Sequence, residues 1–168
     1  MQYTYTELAV YLLLYSFIGW ALEVAFFAVK ERRFCNRGFS SLPLCPEYGI
    51  MMDILILLLP EQGTKWLLQF LTTWMVVSVV EYFSGGIAAK IWKKHLWNYE
   101  DVTLFGGKKK SVLLSLIKAA VVMTAVLLLH PPVFILFSMI PTIVLRIIDI
   151  VGFGLMAADL VSILIAVR

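Results

Sequence analysis

The long apolar runs constrain this chain more than any other feature. A helix rises about 1.5 Å per residue, so roughly 20 mostly apolar residues cross the ~30 Å hydrocarbon core of a bilayer. Residues 8–29 form such a run, broken only by Glu23. Residues 66–91 form another, with Glu81 deep inside it. Residues 111–129 carry Lys118, and residues 141–167 carry Arg146, Asp149 and Asp159. A shorter run over 46–59 holds Glu47 and Asp53. These runs predict an all-α, polytopic membrane helix bundle. It would be one transmembrane domain over 1–168, with about five transmembrane helices and a re-entrant or interfacial inner loop. Residues 131–140 are apolar but too short to span. Pro131-Pro132 and Pro141 bracket them, so the pattern predicts an interfacial or re-entrant segment there.

Composition agrees. Hydrophobic residues are 61% of the 168 and charged residues 15%, against about 45–50% and 25% in soluble domains. A soluble domain of this size has too much surface to hide that apolar content. A soluble enzyme, a disordered chain and a nucleic-acid-binding module are therefore excluded. No basic residue precedes the first run and no small-residue cleavage pattern follows it, so it is expected to be a retained span rather than a secretory signal.

Basic residues set the expected orientation. Lys30, Arg32, Arg33 and Arg37 follow the first run, six lysines from Lys90 to Lys110 follow the third, and Arg168 ends the sequence given. Five crossings place these eleven on one side against Lys65 alone on the other. The positive-inside rule then puts the N-terminus outside and the C-terminus in the cytosol of a cell membrane. Trp66, Trp92 and Trp97 suit an interfacial aromatic belt. Cys35 and Cys45 fall on the cytosolic side, where thiols stay reduced. Their spacing matches no zinc or redox pattern, so no metal and no cofactor is expected.

Ionisable residues inside a membrane are costly and mark functional pathways by default. Counted from the inner ends of their runs, Glu23, Asp53 and Lys118 lie about 10 Å deep and Glu81 and Asp159 about 13 Å. One residue from each helix thus falls in a single slab, in a balance of four acids to one base. This predicts a polar cavity that binds a substrate or a proton. The plainer alternative is that polar side chains hold the helices together, with Lys118 snorkelling to the headgroups. Arg146 and Asp149 are predicted to neutralise each other at i, i+3.

The inner loop adds a second group. Pro46 suits the first position of a helix, and Gly38 and Gly49 permit unusual backbone geometry. Residues 34–44 are expected to fold back over the inner mouth, with Asn36, Arg37, Glu47 and Tyr48 forming a gate or anion contact. Arg37 would present a forked cation to Glu23 or to an anionic substrate group; a contact with lipid phosphates is the alternative. The loop from Lys90 to Lys110 mixes six lysines with Trp92, Trp97 and Tyr99, which fits an amphipathic segment on an anionic leaflet or a docking surface. Gly106-Gly107-Lys108 is not a P-loop, so any ATPase motor would be a separate cytosolic subunit. Gly85-x-x-x-Ala89 and Gly154-x-x-x-Ala158 are candidate packing seams, within one chain or across a homodimer.

Several of these residues carry a family resemblance. They are Phe17-Ile18-Gly19-Trp20, Glu23, Lys30-Glu31-Arg32, Asn36-Arg37-Gly38-Phe39, Pro43 and Cys45-Pro46-x-Tyr48-Gly49. Glu81-Tyr82, Trp97-Asn98-Tyr99, Leu129-His130-Pro131 and Asp159 extend the pattern. The chain resembles the ABC-transporter type IV, CmpB-like family of small bacterial membrane proteins over residues 10 to 165. The resemblance implies a permease-like role in the inner membrane. An accessory or assembly subunit is the second reading. A membrane enzyme acting on lipid or isoprenoid groups is the third, and no Ser-His-Asp, His-Glu-x-x-His or Asp-rich metal motif supports it. His95 and His130 are expected on opposite sides of the membrane, where they cannot share a site.

Overall fold

The structure, a computed structural model, describes residues 3–31, 42–59, 65–92 and 109–166. Among these residues helix is the only regular secondary structure. Helix α1 spans Tyr5–Glu31, α2 Pro46–Leu58, α3 Trp66–Trp92, α4 Lys109–Thr124, α5 His130–Ser138 and α6 Thr142–Ala166. Among the described residues three stretches are long and apolar enough to cross a membrane: Tyr5–Phe26, Trp66–Ser84 and Ser115–Ser138. The start of α1 is secured locally. The Glu7 carboxylate reaches back to accept the Thr4 N–H at 2.8 Å and the Thr4 hydroxyl at 2.5 Å, which satisfies a donor that the first helical turn cannot. Helix α2 opens on Pro46, whose missing N–H costs nothing at that position.

The clearest departure from the sequence expectation lies after α4. Ala125–Leu129 form a π-helical turn, and Thr124 and His130 at its two ends keep right-handed helical dihedrals. The helix therefore runs unbroken through Pro131-Pro132 to Ser138. The first eight residues of the 131–140 stretch, predicted as an interfacial or re-entrant segment, continue this helix. A proline inside a helix lacks an N–H and clashes with the carbonyl four residues back. Here the His130 N–H donates to the Ala125 carbonyl, five residues back. That wider turn separates the proline rings from the preceding carbonyls, and the rod continues.

Packing divides the chain into two compact units. One comprises Met1–Asp53 with Ile135–Arg168, and the other Ile54–Phe134. In the first, α1 packs on α6, where the Gly152 backbone lies against the Leu13 side chain. In the second, α3 packs on α4.

Helix α6 turns one stripe inward. Leu145 is buried, and Asp149, Gly152, Met156, Asp159 and Ile163 are half-buried, while most of their neighbours are exposed. These positions recur every three or four residues, as one helical face must. Gly154 lies outside the stripe and has open space around it, and Ala158 is exposed. Within this chain Gly152 therefore makes the close approach that the Gly154-x-x-x-Ala158 spacing suggested.

Candidate functional site

In the first unit the site is built where the N-terminal turn of α2 crosses the middle of α1. Two glycines make the crossing close. A methyl group at Gly19 would overlap the Tyr48 ring, and one at Gly49 would overlap the Leu12 carbonyl and the Ser16 hydroxyl. The Cys45 N–H donates to the Ser16 carbonyl at 3.0 Å. The Ser16 hydroxyl folds back to the Leu12 carbonyl at 2.6 Å, a bond that lets a helix bend slightly. The Tyr48 ring, lying on Gly19, then reaches one turn further along α1 and its hydroxyl donates to Glu23 Oε1 at 2.8 Å.

Acidic groups surround this contact. Glu47, in the first turn of α2, is only 6% exposed. Glu23, Cys45, Glu47 and Tyr48 are close enough to act on one another electrostatically. Asp53 is two turns further along α2, within electrostatic reach of Tyr15, and among the described residues its Oδ1 is buried without a hydrogen-bond partner. A half-buried carboxylate held by a phenol can exchange a proton or accept a cationic group. The Cys45 thiol is free and buried.

The second unit holds a different arrangement along the α3–α4 seam. The Trp74 indole N–H donates to Ser115 Oγ at 3.0 Å, and the Ser78 hydroxyl donates to the Trp74 carbonyl at 2.8 Å. Three residues beyond each of Ser78 and Ser115, Lys118 Nζ donates to Glu81 Oε1 at 2.6 Å. The two side chains are 24% and 15% exposed, so this is a largely enclosed ion pair. Trp74, Ser78 and Glu81 follow one another at helical spacing on α3, as Ser115 and Lys118 do on α4.

The structure thus groups four of the expected residues in pairs: Glu23 with Tyr48, and Glu81 with Lys118. Glu47 joins the first pair and Asp53 lies along the same helix. Asp159 sits on the inward stripe of α6, and its backbone carbonyl accepts the Ser162 hydroxyl at 2.7 Å. Asn36 and Arg37 lie outside the described residues, as do Cys35, Trp97 and most of the basic loop to Lys110. Arg146 and Asp149 do not pair. Among the described residues Asp149 Oδ1 is buried without a hydrogen-bond partner, while Arg146 is exposed. Among the described residues no three His, Cys, Asp or Glu side chains converge as metal ligands.

Sequence reasoning did not foresee Trp74, Ser78 and Ser115 as the polar links of the α3–α4 seam. Their offsets, three and seven residues before Glu81 and three before Lys118, were the available signal. It grouped Tyr48 with the inner-loop gate or anion contact and did not foresee that its hydroxyl donates to Glu23. Gly19, four residues before Glu23, marks where that ring fits.

Comparison with protein families decides the relationship. The family model described as "Putative ABC-transporter type IV" matches residues 10–164. The chain belongs to this family. No curated protein and no solved structure matched it. Membership in an ABC-transporter-type family and three apolar helices of crossing length make the chain a membrane protein of that type. Both paired constellations lie inside the matched region.

Proposed function

We propose that this family member is a permease-like membrane component that moves a small molecule or ion, rather than an enzyme. The observation that carries the reading is the Tyr48–Glu23 hydrogen bond, which holds a carboxylate within an apolar helix beside the buried Glu47. Enclosed carboxylates are costly in a membrane unless they serve a ligand or a proton. Glu23 and Tyr48 are assigned the first contact with cargo or a coupled proton, and Glu81 with Lys118 the second. Asp53 and Asp159 are assigned supporting polar contacts. The basic inner loop, with Asn36 and Arg37, is assigned to the cytosolic mouth. The chain crosses the bacterial inner membrane five times, with the N-terminus outside and the C-terminus in the cytosol. Its partners are anionic lipids, a second copy of itself and a separate cytosolic ATPase.

The test is ligand-induced thermal stabilisation of the purified protein in nanodiscs, screened across small cations, anions and zwitterions. A ligand that stabilises the wild type but not Glu23→Gln supports the assignment. Stabilisation that survives in both Glu23→Gln and Tyr48→Phe refutes it. The second reading, an assembly subunit, is favoured by the α3–α4 seam, whose Trp74–Ser115 and Lys118–Glu81 links also serve as helix glue. A copurifying membrane partner together with full tolerance of Glu23→Gln would support that reading instead.

A further inference from the structure

The rod from α4 to α5 is held by different neighbours at its two ends. At one end Trp74 and Glu81 of α3 bond Ser115 and Lys118 of α4. At the other the ring of Phe137, in the last turn of α5, stands 5.5 Å from that of Tyr11 on α1. Packing assigns the rod up to Phe134 to the second unit and from Ile135 onward to the first. Helix α2 is divided in the same way, but it places only residues 54–58 in the second unit, little more than one turn.

Between these two holds the main-chain ladder of the rod is interrupted. His130 gives its N–H to the Ala125 carbonyl, five residues back. Pro131 and Pro132 have no N–H to give, so the next main-chain donor is Val133. A helical N–H reaches back four residues, or five in a π-turn. Val133 therefore serves Leu129 or Leu128, and the carbonyls of Val126 and Leu127 have no main-chain donor. Bending a helix ordinarily lengthens the hydrogen bonds on one of its sides. At these two successive positions there are no such bonds to lengthen. The turn is also packed unevenly, since Val126 and His130 are buried while Leu127, Leu128 and Leu129 are exposed.

We propose that residues 125–132 are a hinge in the rod, about which the α5 end, carried by α1, swings against the α4 end, carried by α3. Each unit holds one of the paired constellations, Glu23 with Tyr48 in the first and Glu81 with Lys118 in the second. The swing therefore moves one constellation against the other, and rocking of one helix bundle against another is how alternating access operates. That use of the hinge rests on the permease reading; the hinge itself does not.

The test measures the bend by pulsed electron spin resonance on the full chain in nanodiscs, with no cargo present. Cys35→Ala and Cys45→Ala remove the native thiols. Spin labels are placed at Ile117→Cys and Leu136→Cys, two exposed positions that flank the hinge, about 28 Å apart along a straight helix. A second pair, Leu68→Cys and Phe83→Cys, reports on the uninterrupted helix α3 from two exposed positions, about 22 Å apart. The rod pair is expected to give a distance distribution about twice as broad as the α3 pair, because only the rod lacks main-chain bonds at its middle. Pro131→Ala with Pro132→Ala is expected to narrow it to the α3 width. A rod distribution no broader than that of α3, or one left unchanged by the proline variant, overturns the hinge. If the double variant does not fold, Pro131→Ala is measured alone, and the comparison with α3 decides without it. Because no cargo is used, a rigid rod sinks the hinge and leaves the ligand-stabilisation test untouched, and failure of that test leaves the hinge standing.

Discussion

Two residue pairs determine how this chain tolerates change. Lys118 and Glu81 neutralise each other in a mostly enclosed setting. Removing one partner strands a charge, which in buried pairs costs about 3–5 kcal/mol, whereas replacing both with neutral groups is often nearly neutral. Lys118→Met is therefore expected to lower stability by about 3 kcal/mol, and Glu81→Gln with Lys118→Met to recover most of it. Reversible unfolding in mixed micelles measures both; additive losses in the double variant would refute the pairing. Gly19 is limited by shape. A methyl group there meets the root of the Tyr48 ring, which cannot swing aside while its hydroxyl holds Glu23. Gly19→Ala is expected to cost about 1–3 kcal/mol, as overpacking usually does. Tyr48→Ala should remove that extra penalty, and the same unfolding assay reads it. The missing Arg146–Asp149 pair follows from direction. Asp149 belongs to the inward stripe of α6 and Arg146 to the next face round, and an i, i+3 pair with the cation N-terminal is the weaker order.

Among the elements, the rod from α4 to α5 shows where local rules gave way. Consecutive prolines at 131 and 132 predict a helix end, yet the π-turn over Ala125–Leu129 absorbs them. The nearby apolar content rewards continuation, since Ser115–Ser138 is then one stretch of 24 residues, long and apolar enough to cross a membrane. In Pro131→Ala with Pro132→Ala, two N–H groups return and can close ordinary i→i−4 bonds. Interior proline costs about 3 kcal/mol in a helix, so the double variant is expected to melt higher. A lower melting temperature would mean that tertiary contacts favour the π-turn. Helix α6 teaches a different lesson. Its packed stripe from Leu145 to Ile163 has regular spacing, but the opposite face is equally apolar. In water the polar side of a helix marks its exposed face; in lipid that contrast vanishes. A small-residue motif such as Gly154-x-x-x-Ala158 then looks as good as Gly152, and only packing distinguishes them.

For the whole molecule, the proposed five-crossing topology makes a direct prediction. A fluorescent protein fused after Arg168 should mature in the cytosol, while a periplasmic phosphatase fused there should stay inactive. The reverse pattern would discard the proposed orientation. Membrane residence, helical class and the residues able to carry charge inside the bilayer are all written in composition and run length. The reason is that the bilayer imposes a fixed thickness and a uniform penalty on polar groups. Glu23, Glu81 and Lys118 stood out for that penalty alone. Their partners did not: the placement of Tyr48 over Gly19, the Trp74–Ser115 link and the inward turn of Asp149 depend on which faces meet. Helix contact in lipid is decided by shape and a few hydrogen bonds rather than by hydrophobic contrast, and those relations exist only once the helices are packed.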